Sequence, residues 1–135
     1  MKPFTIKQAP IPIDIYQKLR NRCGLSDKTE EACNIGLKNS LYSVVIELDS
    51  TIIGMGRLVG DGGCFCQVVD VCVLPEHQGK GYGKAIMSSI SKYINKNLPS
   101  SCSVSLLTDR DAPALYKKFG FQDTLPITKG MYIKT

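Results

Sequence analysis

The chain has 135 residues, of which 43% are hydrophobic and 21% charged, and a formal net charge of +5. That length can bury one real core, the balance is that of a folded domain rather than a disordered segment, and no apolar run approaches the roughly 20 residues of a membrane span. The positive charge favours anionic partners, but the basic residues are scattered and never form the dense stripe that nucleic-acid binding calls for.

One domain over residues 1–135 is the expectation, with neither nucleic acid nor membrane as a partner. The N-terminus MKPFTIKQAP has no apolar signal core, so a cytoplasmic location is expected.

Phe4 to Lys7 alternates as a short first strand, closed by Pro10. Ile11 to Cys23 carries Ile15, Tyr16, Leu19 and Cys23 at helical spacing, and Gly24 follows as a helix stop. Ser26 and Thr29, with Glu30, predict a capped second helix to about Leu37. Leu41–Leu48 and Thr51–Val59 read as a hairpin turning at Asp49-Ser50. Gly54 and Gly56 inside its second strand predict a bulge or a close approach by another element. Arg57 stands alone as a charge in that apolar strand, either as a cross-strand partner on a solvated face or as a contact to substrate or to an acid.

Phe65–Leu74 is the longest apolar run and the expected central strand. After a glycine-bearing turn, Tyr82, Ile86, Ile90, Tyr93 and Ile94 line one face of a long helix that packs on the sheet. Ser103–Thr108 then returns parallel to the central strand, giving a right-handed β-α-β unit. A short helix runs from about Pro113 to Phe119, and Phe121–Asp123 with Met131–Lys134 are expected to close the sheet as a hairpin. The six cysteines have no zinc spacing and sit partly in strand-like runs, so reduced thiols and no metal are expected.

The turn Gln78-Gly79-Lys80-Gly81-Tyr82-Gly83-Lys84 carries the chemistry. Glycines between a strand and a helix start leave backbone N–H groups converging on one point, where the helix dipole adds positive potential. Two nucleotide-loop patterns fail. A Walker A loop needs one more residue before Gly83-Lys84, and a hydroxyl where Ala85 stands. A dinucleotide fingerprint needs unequal spacing, whereas Gly79, Gly81 and Gly83 are evenly spaced. Gln-x-x-Gly-x-Gly is the pattern that fits.

With Val71-Cys72-Val73-Leu74-Pro75-Glu76 before that turn and Ala112-Pro113-Ala114-Leu115-Tyr116 to Phe121 about thirty residues after it, the chain resembles the GNAT superfamily of N-acetyltransferases. The resemblance implies an α/β (α+β) fold, with a mixed, mostly antiparallel sheet flanked by helices and a splayed parallel strand pair that binds CoA. It implies acetyl-CoA as cosubstrate, with its pyrophosphate on Gln78, Gly79, Lys80, Gly81, Tyr82, Gly83 and Lys84. The pantetheine arm would lie along Val71, Cys72 and Val73, with further contacts from Asp109, Ala112 and Tyr116. Asp109 stands where the family often has Asn.

Direct acetyl transfer to an amine needs a proton acceptor for the amine, a polarised carbonyl and a proton for the leaving thiolate. By family position Tyr116 is the acid toward the CoA sulfur, and backbone N–H near Cys72 polarises the carbonyl. Asp70, just before the pantetheine strand, is a base or amine anchor if it faces the cleft, and a structural hydrogen-bond partner if it faces a helix. A Cys72-acyl intermediate lacks an activating base. The leading reading is transfer from acetyl-CoA to a primary amine of a small molecule, with Arg57 and Asp70 as candidate substrate contacts. Peptide or protein acetylation and a non-catalytic acyl-CoA sensor are the alternatives, and pairing into a homodimer is left open.

Overall fold

The computed structural model describes residues 3–109 and 113–135. Five strands form one sheet in chain order: β1 (Thr5–Gln8), β2 (Tyr42–Leu48), β3 (Thr51–Gly60), β4 (Phe65–Val73) and β5 (Ser103–Leu106). All neighbours are antiparallel except the parallel pair β4 and β5. This is the mixed, mostly antiparallel sheet expected. Helices α1 (Ile13–Arg22), α2 (Glu30–Gly36), α3 (Tyr82–Asn97) and α4 (Pro113–Lys117) accompany it.

The β2–β3 hairpin turns on two residues, since Leu48 pairs with Thr51, and Asp49 and Ser50 both hold positive φ (49° and 62°). That is the primed turn whose twist matches two antiparallel strands. Helix α2 is capped by Thr29, whose hydroxyl accepts from the Ala32 amide at 3.1 Å. Ser26, the other expected cap residue, instead receives Arg20.

Helices α1 and α3 cover opposite faces of the sheet. A Cβ placed on Gly56 would lie 2.7 Å from Ile86 and 3.0 Å from Ile90, so its hydrogen is what lets α3 sit down on β3. Tyr82, Ile86, Met87 and Ile90 are accordingly at most 2% exposed. The neighbouring Arg57 points the other way, beside Tyr16 of α1.

Opposite Gly56 the register slips. Met55 pairs with Cys72 but Arg57 pairs with Val69, so two residues of β4, Asp70 and Val71, face one of β3. Asp70 takes φ 62° at this bulge. A bulge bends its strand and re-aims side chains. The pairing of β4 with β5 ends nearby, at Val68–Leu106, so the two parallel strands part just where the bulge begins. The strand expected to run to Thr108 therefore stops at Leu106.

One expectation fails. Phe121–Asp123 and Met131–Lys134 are not strands, and among the described residues the sheet ends at β5. Ile127, Met131, Tyr132 and Ile133 are 85–92% exposed, so among the described residues nothing covers this apolar stretch. Strand pattern alone does not make a strand without a surface to bury it.

Candidate active site

The glycine turn has the geometry of an anion cradle. Gly79 and Gly81 both take left-handed backbone, at φ 75° and 90°. Gly81 is the N-cap of α3 and offers no side-chain cap, so the first amides of this 16-residue helix are left without a protein acceptor. Gln78, Gly79, Lys80, Gly81 and Lys84 are exposed, and Gly79 has open space where a side chain would project. Tyr82 differs from the rest of its motif. Its ring is 2% exposed and meets Phe4 edge-on at 5.1 Å, so only its backbone can face a ligand. Gln78 also has an internal task, donating from Nε2 to the Val73 carbonyl at 2.9 Å and so tying the turn to the end of β4.

Past Val68 no residue of β5 pairs with β4, which leaves that side of Val69–Val73 open to an amide-rich ligand. The Val73 carbonyl is already taken by Gln78 and by Cys23 Sγ at 3.3 Å, and the Cys72 backbone faces Met55 of β3, so the groups left on the open side are those of Val71 and the Val73 amide. The Cys72 thiol is held well above its ordinary range by its hydrogen bond with Cys23 and by burial. A protonated, buried thiol is no nucleophile.

Asp70 occupies the centre of a buried polar network. Its carboxylate accepts from Tyr16 Oη (2.9 Å), Arg20 Nη1 (2.5 Å) and Arg57 Nε (2.7 Å), and its side chain is 4% exposed. Arg20 donates further to the Ser26 carbonyl and hydroxyl, and Arg57 to Ser40 Oγ (2.9 Å) and the Gly36 carbonyl (3.3 Å). Burial first, then the Asp70 charge, pushes the Tyr16 phenol up to about 12. With three donors on two oxygens, Asp70 is placed as a structural partner that ties α1 and the α2 end to the bulge. A base or amine anchor would have only the one remaining acceptor site, on Oδ1, to work with. Arg57 is likewise a partner of Asp70 and not a charge on a solvated face.

Tyr116, on α4, stands between two hollows. One, of about 490 Å³, runs from Tyr16, Lys28, Arg57 and Asp70 past Val71 to Asp109 and Tyr116. The other, about 570 Å³, lies outside β5 against Val104, Leu106, Phe119 and Phe121. The Tyr116 phenol is raised, mainly by burial and then by Asp109 and Cys72, so it stays a neutral donor at pH 7. Asp109 is exposed beside it. Ala112 lies outside the described residues. Among those residues, no three His, Cys, Asp or Glu side chains cluster as a metal site would need.

Sequence reasoning overlooked Tyr16, Arg20 and Lys28. Tyr16 was legible only as a helix-face aromatic. Arg20 and Lys28 carried no local pattern, because their partners are brought together by the fold alone.

The model of the acetyltransferase (GNAT) domain family matches residues 39–123 of the chain. An uncharacterised N-acetyltransferase of Pyropia yezoensis is 28% identical over 128 residues, which cover 89% of this chain and 71% of that protein. A solved structure from meticillin-resistant Staphylococcus aureus, described as a probable acetyltransferase of unknown function, superposes with a TM-score of 0.94. It is 43% identical, and the match covers 98% of this chain and 100% of that one. A predicted acetyltransferase from Clostridium acetobutylicum, solved with acetyl-CoA, shares the fold at a TM-score of 0.72 and 18% identity, with 96% of each chain covered.

Proposed function

Because the chain belongs to the GNAT acetyltransferase family, and is therefore an acetyl-CoA-dependent N-acetyltransferase, we propose that its acceptor is the primary amine of a small molecule. The observation that carries this is the size of the hollow ending at Tyr116, about 490 Å³, which suits a metabolite-sized amine. We take residues 1–135 as one catalytic domain. The six free thiols favour a reducing compartment such as the cytoplasm. No described helix is long and apolar enough to cross a membrane.

Acetyl-CoA supplies a thioester to which an amine adds directly, forming the N–C bond and releasing the CoA thiol. The chain's residues divide that work. Amides of Gly79 to Lys84 at the start of α3 receive the pyrophosphate, with Lys80 and Lys84 adding charge. The outward-facing backbone of β4 at Val71 and Val73 pairs with the pantetheine amides, and a backbone N–H of this outward-facing set polarises the carbonyl. Tyr116 gives its phenolic proton to the departing sulfur and regains one from water. The amine proton leaves to water, since Asp70 is held by its arginines.

A thiol-release assay against polyamines, arylalkylamines, amino acids, aminoglycosides and short peptides tests the reading. Turnover with one or more small amines is expected. Turnover with peptides alone would move the assignment to peptide or protein acetylation.

We also infer that two copies pair through their C-terminal segments. In support, the outer edge of β5 has no strand partner among the described residues, and Met131, Tyr132 and Ile133 are 85–88% exposed. Light scattering should give twice the chain mass, and the monomer mass after truncation at Lys129. A monomeric full chain would refute the pairing.

A further inference from the structure

Arg57 is almost fully buried, at 9% exposure, yet its guanidinium is incompletely used. Nε is bound to Asp70 and Nη1 to Ser40 and Gly36. Among the described residues Nη2 has no hydrogen-bond partner, although it is not sealed from solvent. That edge is thus open to solvent within the hollow, where an anionic ligand can take the place of water on a planar donor pair. Arg57 lines the hollow that ends at Tyr116, and also a smaller recess of about 100 Å³ beside it. Both hollows share Tyr16 and Lys28 with it.

The charges along this hollow are sorted. Arg20, Lys28 and Arg57 lie at the α1–α2 end, where Asp70 offsets only one of them. Asp109 lies at the other end beside Tyr116. A carboxylate there attracts an incoming ammonium toward the point where the CoA thioester would sit. The far end offers a planar fork edge and an ammonium, the pair of groups that best receives a carboxylate or phosphate. The polarity of the hollow thus orients a dipolar molecule, amine toward Tyr116 and anion toward Arg57.

We infer that Arg57 Nη2 and Lys28 form an anion subsite, and that the acceptor is an amine which also carries a carboxylate or a phosphate. This rests on the small-molecule reading above and narrows it. Lys28 is exposed, so its replacement leaves the Asp70 network untouched.

The experiment compares matched acceptors: β-alanine, 4-aminobutyrate and 5-aminovalerate against their carboxamides, and phosphoethanolamine against ethanolamine. Thiol release is followed by steady state, and each compound is also titrated by calorimetry in the presence of CoA. The subsite predicts at least one anionic member about tenfold better in kcat/KM than its neutral partner. It also predicts that Lys28→Met draws that ratio toward one by raising KM for the anionic member. Neutral members used as well as the anionic ones would overturn it, as would a ratio that Lys28→Met leaves alone. If no pair turns over, the calorimetry decides: preferential binding of an anionic member supports the subsite, and its absence overturns it. Acetylation of the neutral amines alone would leave the acetyltransferase reading standing while removing the subsite.

Discussion

Replacing Tyr116 by Phe removes one hydroxyl and keeps the ring that meets Phe121 edge-on at 6.4 Å. If that hydroxyl is the acid, kcat falls by roughly 100-fold or more, the scale of a lost general acid, while acetyl-CoA affinity stays near wild type. Equal turnover in the two proteins would remove Tyr116 from the chemistry. The pH profile adds a second test. An acid must be protonated to act, and the environment of Tyr116 raises its phenol above the ordinary tyrosine value. Loss of activity through its deprotonation should therefore begin only above about pH 10. Asp70 calls for a different readout. Asp70→Asn leaves Arg20 and Arg57, 8% and 9% exposed, facing a neutral amide. Removing one partner of a buried ion pair costs about 3–5 kcal/mol, so a calorimetric Tm lower by roughly 10–18 °C is expected. A Tm within about 2 °C of wild type would show that the network is not structural.

At the level of elements, the turn before α3 can be separated from ordinary glycine strain. Gly81 and Gly62 both hold positive φ, at 90° and 75°, but only Gly81 caps the helix proposed above to receive the pyrophosphate. A side chain at either position costs about 1–2 kcal/mol of backbone strain. Gly81→Val should weaken acetyl-CoA binding by about tenfold or more, since 1.4 kcal/mol is one decade, whereas Gly62→Val should lower Tm alone. Equal affinities in the two variants would mean that the turn does not shape the site. The turn was readable because its glycines and helix face are contiguous in sequence. The Gly56 signal was readable too, as the close approach of α3, while the bulge opposite it lies in β4. The Asp70 network was not, because Tyr16 and Asp70 are 54 positions apart and meet only once β4 bulges. The closing hairpin misled for the opposite reason. Its alternation is real in sequence, but no described residue of the same chain covers Met131 or Ile133.

Across the whole molecule, one asymmetry organises the site. Helix α3 seals one sheet face through the glycines of β3, and α1 seals the other through Tyr16, Leu19 and the arginines. Between them β4 carries the bulge, and β5 leaves it after Leu106. The opening so formed runs along Val69–Val71 within the hollow that reaches from Arg57 to Tyr116. The scattered net charge of +5 favours anionic ligands such as acetyl-CoA. All of this depends on the opening receiving acetyl-CoA, and calorimetric titration with acetyl-CoA asks that question alone. Saturable binding of one molecule per chain, weakened in Gly81→Val and unchanged in Tyr116→Phe, is the expected result. No binding heat at about 1 mM acetyl-CoA, where even a weak site would fill, would contradict it.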